Sequence, residues 1–328
     1  ALSMNIIITS NERLPALLYG GSPRVVWCLA KELSLLGHRV QLLAPPGSEC
    51  PFADVLPYEP RQDVRELIPP DVDIVHFNSG VPKAMQSPYI FTQHGNVLPG
   101  ESIDRNTVFV SKNHAARHGS ESFVHNGLDW QDAAQSSLPR CDFHFLGKAA
   151  WRKKNVRGAI AATKEVPSAR LHVLGGHRLN FSMGFRFTAS SRISFHGMTN
   201  DHQKYEIMSR SQGLVFPVRW HEPFGLAIIE SMHCGCPVFG TPYGSLPELV
   251  PPEVGLLSSS QSELAAAMAD ADRWDPATCT AYATEYFNSK RMALAYLEKY
   301  ERVINGESLN ATPPTLLKPE EKLLPWYP

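Results

Sequence analysis

Residues 222–230, which read EPFGLAIIE, are the most informative stretch of the chain. Pro223 and Gly225 mark a turn, and the apolar residues after it have helical spacing, so we expect a helix to begin near Gly225. The unpaired backbone N–H groups at Phe224, Gly225 and Leu226 would then face whatever lies in front of the turn. Such a helix start favours a phosphate group.

Two carboxylates, Glu222 and Glu230, frame this turn. Glu230 lies about five residues inside the predicted helix, roughly 7.5 Å along its axis. A carboxylate there can accept hydrogen bonds from the vicinal hydroxyls of a ribose, and Glu222 can accept from hydroxyls on a group beyond the phosphates. On spacing alone, a buried strand-turn-helix with two solvated glutamates fits equally well.

The residues after this helix favour the functional interpretation. A glycine stop and an apolar strand follow in CGCPVFGT at 234–241, and then comes GSLPELV at 244–250. The whole segment 216–250 resembles the signature of the retaining family 4 glycosyltransferases of GT-B fold, whose paired glutamates have this spacing. The resemblance implies an α/β protein with two doubly wound, Rossmann-like domains facing each other across a cleft.

Strand and helix signals alternate along the chain, as this fold class requires. Residues 5–10 form a β-branched strand, and Ser22 and Pro23 have the pattern of an N-cap and first residue of a helix that Gly37 ends. Residues 39–44 follow as a strand, which predicts a parallel βαβ unit. Further strands are predicted at 73–77, 89–93, 107–110, 142–146, 171–174, 193–195, 213–217 and 237–240.

The polar stretch 135–140 is the expected linker between two domains. The predicted divisions are an acceptor-side domain at 1–138, a nucleotide-sugar-binding domain at 139–284, and, at 285–328, a C-terminal helix that crosses back to the first domain plus a proline-rich tail. The crossing of the helix is what the resemblance implies. Because the tail carries Leu323, Leu324 and Trp326 among its prolines, we expect it to lie extended against the protein and to bury Trp326 or the leucine pair.

Segments outside the signature also resemble the family, and the likeness covers most of residues 4–305. Gly20 and Gly21 match a glycine pair that approaches the donor diphosphate, although a plain turn is the alternative. His94 ends a predicted strand where the family places a histidine near the donor sugar. Without the resemblance, a histidine at a strand end would be read as incidental.

A cationic segment, GKAAWRKKN at 147–155, matches the part of the family that neutralises the leaving diphosphate. Lys148 and Lys154 occupy the positions of the family's two cations, while Lys153 stays an alternative for the second. Lys148 stands where the family has arginine, so a point charge replaces a planar fork. Arg152 and Arg157 are expected on a solvated face.

Carried over residue by residue, the resemblance implies two sets of site residues. The catalytic set is His94, Lys148, Lys154 and Glu222, and the donor-binding set is Gly20, Gly21, Phe224, Gly225, Leu226 and Glu230. The implied reaction is metal-independent transfer, with retention, of a hexose-type sugar from a nucleotide-diphosphate sugar, with UDP favoured. The acceptor is a carbohydrate, a lipid-linked molecule or a small molecule, and no cofactor is implied beyond the donor substrate. A GT-B epimerase or phosphorylase, or a non-catalytic nucleotide-sugar binder, stays an alternative.

Composition and charge fit this class. The net charge of −1 over 328 residues gives no general attraction to nucleic acid, and it leaves peripheral membrane contact open. No apolar run approaches the ~18 residues of a membrane span, and the absence of a signal-peptide core and of a C-x-x-C pair predicts a cytoplasmic protein. Asp71 and Asp73 have D-x-D spacing but begin a predicted strand, and no dinucleotide or zinc motif occurs, so neither a nicotinamide cofactor nor a metal is expected.

Overall fold

The protein is described from a computed structural model, which covers residues 2–16, 21–130, 136 and 138–328. The chain divides into two compact units. The first unit is Ala1–Trp130 with Phe287–Pro319, and the second is Gln131–Tyr286 with Glu320–Pro328. The units change after Trp130 and after Tyr286, whereas the predicted boundaries fall after residues 138 and 284. The structure also assigns the end of the chain, from Glu320, to the second unit.

The described chain contains alternating strands and helices. The strands are β1 Asn5–Thr9, β2 Arg39–Ala44, β3 Asp54–Pro57, β4 Ile74–Phe77, β5 Tyr89–Gln93, β6 Thr107–Phe109, β7 Phe143–Leu146, β8 Leu171–Leu174, β9 Leu179–Asn180, β10 Arg186–Phe187, β11 Ile193–Phe195, β12 Leu214–Phe216, β13 Val238–Gly240 and β14 Gly255–Leu257. The helices are α1 Gly21–Leu35, α2 Val64–Leu67, α3 Lys112–Arg117, α4 Val156–Glu165, α5 Asp201–Ser209, α6 Leu226–His233, α7 Leu246–Leu249, α8 Gln261–Ala269, α9 Pro276–Tyr286 and α10 Ser289–Ile304.

Each unit is built on a six-stranded parallel sheet, and the two sheets share one topology. The first has the order β3-β2-β1-β4-β5-β6 and the second has the order β11-β8-β7-β12-β13-β14. In each sheet the chain adds strands on one side of its first strand and then returns to add the remaining strands on the other side. This reversal of strand order lies between β1 and β4 in one sheet and between β7 and β12 in the other. Ligands of doubly wound sheets bind outside the carboxyl ends of the strands at this reversal. The prediction of two doubly wound α/β halves is confirmed.

The strands predicted from the sequence lie within one residue of their observed ends. The strands that were missed are β3 and β14 at sheet edges, and the antiparallel hairpin of β9 and β10. One helix start was wrong, because α1 already includes Gly21 and Ser22 is therefore not its N-cap. No helix in the described residues combines the length and the apolar character needed to cross a membrane.

The C-terminal helix α10 packs on the first unit, against α1 and β5. Its apolar face is buried through Met292, Ala293, Tyr296, Tyr300 and Val303. The hydroxyl of Tyr300 lies 2.7 Å from Nδ1 of His76 on β4, and Nε2 of His76 lies 2.7 Å from the Thr92 hydroxyl on β5. Burial lowers the pKa of His76 to about 3, so this histidine is neutral and joins helix and sheet by hydrogen bonds alone.

The last part of the C-terminal tail, Glu320–Pro328, belongs to the second unit and lies along it. Two hydrogen bonds join Arg219 and Leu324. The backbone N–H of Leu324 donates to the Arg219 carbonyl at 2.8 Å, and Nε of Arg219 donates to the Leu324 carbonyl at 2.7 Å. Tyr327 forms a parallel bridge with Ser260. Leu324 is buried, and Leu323 and Trp326 are partly buried, with Trp326 packed against the core of the second sheet. The prediction that the tail buries Trp326 or the leucine pair is therefore confirmed in part.

We expect Trp326→Ala to lower the free energy of unfolding by about 1–3 kcal/mol, because the indole leaves a core contact. Tyr327→Ala is the control from the adjacent residue, since that side chain is 59% exposed although its backbone is hydrogen-bonded to Ser259 and Gln261. Urea denaturation followed by circular dichroism measures both. Equal midpoints for the two variants would show that the tail packs without stabilising the unit.

Candidate functional site

The reversal in the second sheet brings together two of the predicted catalytic residues. Lys154 follows β7 and Glu222 follows β12, and these strands are neighbours at the reversal. The Lys154 ammonium lies 2.8 Å from Oε2 and 3.0 Å from Oε1 of Glu222. Their side chains are only 14% and 8% exposed, so this is a largely buried ion pair at the carboxyl edge of the sheet.

Lys154 is held by the residue after it. Asn155 has left-handed backbone angles, φ 59° and ψ 49°, which asparagine tolerates better than most residues. Its side-chain oxygen caps α4 by accepting from Gly158 N–H at 3.1 Å, and its amide nitrogen donates to the Pro217 carbonyl at 2.9 Å. One side chain therefore joins the loop after β7 to the loop after β12.

Glu222 is held from two sides. The Trp220 indole N–H donates to Oε2 of Glu222 at 2.7 Å. The backbone of Glu222 is clamped by the loop after β13, where Ser245 N–H donates to the Glu222 carbonyl at 2.9 Å. Gly244 in that loop has φ 61°, and a Cβ there would stand 2.3 Å from the Glu222 nitrogen. The close approach of this loop to the Glu222 backbone therefore requires glycine at position 244.

The helix after Glu222 begins where it was predicted. Gly225 is the N-cap of α6 with φ 94°, and Leu226 is the first helical residue. The side chain of the N-cap residue provides no hydrogen bond to the first turn, because glycine has none. The start of α6 lies close to Glu222, because a Cβ on Gly225 would stand 3.3 Å from Cγ of Glu222. The positive end of the helix dipole beside the Lys154–Glu222 ion pair favours a phosphate group.

The other lysines of the loop are arranged around aromatic rings. The Lys153 ammonium lies 3.7 Å from the centre of the Trp220 ring and 4.7 Å from that of Trp151. Burial and the nearby charge of Lys154 lower the pKa of Lys153. Lys148 is exposed, 4.7 Å from the centre of the Trp151 ring. The Lys153 ammonium thus contacts two indole rings, and the Lys154 ammonium pairs with a carboxylate. Both lysines remain candidates for binding a phosphate group.

Glu230 is not solvated, contrary to the simpler interpretation of the sequence. It lies in α6 with 3% of its surface exposed, and its Oε2 is 2.7 Å from the ammonium of Lys204 on α5. Lys204 is equally buried. A ribose bound at Glu230 would share the carboxylate with this lysine, so its role in ribose binding stays a prediction. Nothing in the sequence pointed to Lys204.

The predicted residues of the first unit lie at its own reversal. His94 follows β5, and its Nε2 lies 2.7 Å from the side-chain oxygen of Asn78, which follows β4. Asn78 in turn donates to the Thr9 carbonyl at the end of β1, at 3.0 Å. Burial lowers the pKa of His94 to about 4, so the ring is neutral near pH 7.

The glycine pair is only partly described. Gly21 is the first residue of α1, which follows β1, and a Cβ at Gly21 would meet no described atom within 4 Å. The packing of the described residues therefore does not explain the glycine. Gly20 lies outside the described residues.

The D-x-D spacing of Asp71 and Asp73 has a structural explanation, and so does the glycine that follows β8. Asp73 accepts a hydrogen bond from the Asn5 N–H at 2.7 Å, so the D-x-D pair lies at the amino ends of the strands, away from the carboxyl edge. Gly175 has φ 114°, and a Cβ there would stand 2.1 Å from the Gly147 carbonyl oxygen. Within the described chain, no three His, Cys, Asp or Glu side chains are grouped as metal ligands would be.

Comparison with known proteins finds a match within the second unit. Residues 140–271 match the family model described as glycosyl transferases group 1. This segment is therefore similar to a group 1 glycosyltransferase domain. It contains every predicted site residue of the second unit, from Lys148 to Glu230.

A curated relative matches part of the chain. The O-antigen chain mannosyltransferase B of Escherichia coli is 31% identical over 107 residues. The match covers 30% of this chain and 28% of the length of that relative. Because the match covers less than a third of either protein, it shows similarity over that stretch alone.

Solved structures show the fold over nearly the whole chain. AviGT4, a glycosyltransferase involved in avilamycin A biosynthesis, is 20% identical with a TM-score of 0.76, over 93% of this chain and 99% of its own. Alr3699/HepE of Anabaena, solved in complex with UDP-glucose, is 16% identical with a TM-score of 0.64, over 91% of this chain and 99% of its own. The two parallel-sheet units match those of GT-B glycosyltransferases, which confirms the predicted fold class.

We expect Gly244→Ala to lower the free energy of unfolding by about 2 kcal/mol or more, because the new methyl group would displace the backbone of Glu222. Gly306→Ala is the control, since Gly306 has a similar left-handed φ of 87° but a Cβ there meets no described atom within 4 Å. It carries the conformational strain without the clash. If denaturation shows the same loss for both variants, the clamp on Glu222 does not depend on close approach.

Proposed function

We propose that the protein is a retaining, metal-independent glycosyltransferase of family 4, which transfers a hexose-type sugar from a nucleotide-diphosphate sugar to an acceptor. The observation that carries this proposal is the buried Lys154–Glu222 pair beside the glycine-capped start of α6. The pair lies at the reversal of the second sheet and inside the segment that matches group 1 glycosyltransferases.

The pair has the chemistry of a sugar-diphosphate site. A buried ion pair is stable only while both charges have partners, and removing one partner costs about 3–5 kcal/mol. A ligand that separates Lys154 from Glu222 must therefore bring an anion to one and hydrogen-bond donors to the other. A nucleotide-diphosphate sugar carries both, since its phosphate is joined directly to a ring of hydroxyl groups.

In the proposed reaction, negative charge develops on the leaving phosphate, and the groups of the site stabilise that charge. The bond between the anomeric carbon and the phosphate oxygen breaks, and negative charge grows on the phosphate. Lys154, Lys148 and the amides at the start of α6 stabilise that charge, and preorganised groups are most effective where charge develops. The acceptor hydroxyl forms the new bond on the same face of the sugar, and its proton passes to the departing phosphate. Glu222 orients the sugar hydroxyls.

His94 has a different part in the proposal. Because its pKa is lowered to about 4, it is neutral and can offer a hydrogen bond to a sugar hydroxyl without adding charge. The finer assignments rest on the relatives. A UDP-sugar donor is proposed because Alr3699/HepE was solved with UDP-glucose, and a hexose because the curated relative is a mannosyltransferase.

The first experiment tests the reaction class. Nucleotide sugars that raise the melting temperature are incubated with the protein and candidate acceptors, with and without EDTA. We expect free nucleoside diphosphate, a product with the anomeric configuration of the donor, and no effect of EDTA. Interconversion of the sugar without free nucleotide would indicate an epimerase, a sugar 1-phosphate would indicate a phosphorylase, and loss of activity with EDTA would contradict metal independence.

The second experiment tests the lysine. We expect Lys154→Ala to lower kcat about 10²–10³-fold while donor affinity falls much less, because the charge acts mainly in the transition state. Lys153→Ala is the matched control from the same turn, and Lys154→Arg restores the charge. Equal losses in kcat and in donor affinity would reduce Lys154 to a ground-state contact, and a larger loss for Lys153→Ala would exchange the two roles.

A further inference from the structure

The hairpin of β9 and β10 exposes the side chains that a hairpin normally buries. It follows β8 in the second unit and covers residues 179–187. Every second residue is apolar and exposed: Leu179 48%, Phe181 74%, Met183 58%, Phe185 63% and Phe187 59%. Leu179 and Phe187 pair across the two strands, and Phe181, Met183 and Phe185 lie in the turn that joins the strands. Apolar residues of a hairpin normally pack against the core, whereas all five here are exposed to solvent.

The opposite face of the hairpin buries a cation. Arg186 is 7% exposed, and its guanidinium donates to the Thr188 hydroxyl at 3.1 Å and to the His177 carbonyl at 2.9 Å. It also lies 5.0 Å from the centre of the Phe195 ring. Burial and the nearby charge of Arg157 lower its pKa. No carboxylate among the described residues forms an ion pair with Arg186, so its charge is not compensated within the described chain.

A cavity of about 290 Å³ lies against the hairpin, and arginines line it. They are Arg152, Arg157, Arg186 and Arg219. None of the lining residues, all within the described chain, is acidic. Arg157 donates to the Phe185 carbonyl and Arg219 to the Leu324 carbonyl, which are neutral acceptors. Four arginines therefore line one cavity, and none of them forms an ion pair with a described carboxylate, as in a site for an anion.

We propose that this cationic pocket and the exposed face of the hairpin bind the second unit to an anionic phospholipid surface. The arginines take the lipid phosphate groups, and the phenylalanines, leucine and methionine enter the interface beside them. Exposed apolar clusters of this kind mark interaction sites, and aromatic and cationic side chains together suit the boundary between head groups and acyl chains.

The two features together select this partner. A free phosphate would satisfy the arginines but would leave five apolar side chains in water. A second copy of this chain would cover the apolar side chains but would also have to supply an acidic surface to four arginines, and the chain is nearly neutral overall. An anionic lipid surface offers both negative charge and apolar depth. The proposal does not depend on the proposed transferase reaction.

The test is sedimentation of the full chain with vesicles. One set is phosphatidylcholine alone, and the other is an equimolar mixture of phosphatidylcholine and phosphatidylglycerol. We expect binding to the anionic vesicles that weakens as salt is raised, and little binding to the zwitterionic ones.

Two double variants separate the two parts of the surface. Phe181→Ser with Phe185→Ser removes apolar contacts, and Arg152→Gln with Arg157→Gln removes charge. Each is expected to weaken binding to anionic vesicles about tenfold or more.

Leu35→Ser is the matched apolar control, because Leu35 is 72% exposed on α1. Arg170→Gln is the charge control. Arg170 is exposed just before the amino end of β8, whereas the hairpin follows the carboxyl end of that strand. Both controls should bind as the unmodified chain does.

Four results would overturn the proposal. The first is equal binding to both kinds of vesicle. The second is unchanged binding of the double variants, provided that their melting temperatures show them to be folded. The third is stabilisation by inorganic phosphate, lost in the arginine variant, without any vesicle binding, which would indicate a pocket for a free anion. The fourth is a dimer in light scattering that Phe181→Ser with Phe185→Ser dissociates, again without vesicle binding, which would indicate an interface between copies.

Discussion

The ion pair between Lys154 and Glu222 depends on the strand order of the second sheet, and the rest of the site is arranged around it. Only at the reversal between β7 and β12 do the loops after two central strands lie side by side without a crossover helix between them. A lysine from one loop and a glutamate from the other can meet there with little solvent around them. Each charge is satisfied by the other, so a ligand that enters must replace both partners.

Three left-handed backbone conformations surround the pair and complement the side-chain contacts of Asn155 and Trp220. Asn155 adopts left-handed angles after Lys154, Gly225 does so at the start of α6, and Gly244 does so where its loop touches Glu222. These conformations are unfavourable for most residues, and they occur within one short region of the carboxyl edge. They place a cation, a carboxylate and the positive end of a helix next to one another, which is the set of groups that a sugar diphosphate can bind.

The sequence predicted the central strands closely because they are buried and rich in branched apolar residues, as at β1 and β4. The edge strands β3 and β14 were missed because half-buried strands such as DVLP and GLL carry little pattern. The start of α6 was predicted from Pro223 and Gly225, since turn chemistry is local. Lys204 beside Glu230 and the clamp at Gly244 were not predicted, because both depend on contacts between distant segments. The hairpin shows a related limit, because alternation at 179–187 predicts two faces but not which one is buried.

The central claim is that the second unit holds the donor diphosphate at the Lys154–Glu222 pair. A crystal structure of the protein soaked with UDP tests it most directly. The account predicts phosphate oxygens within hydrogen-bond distance of the Lys154 ammonium and of the Leu226 N–H, with Glu222 separated from Lys154. It is contradicted if Lys154 and Glu222 stay paired while the diphosphate binds elsewhere, for example among Arg152, Arg157 and Arg186.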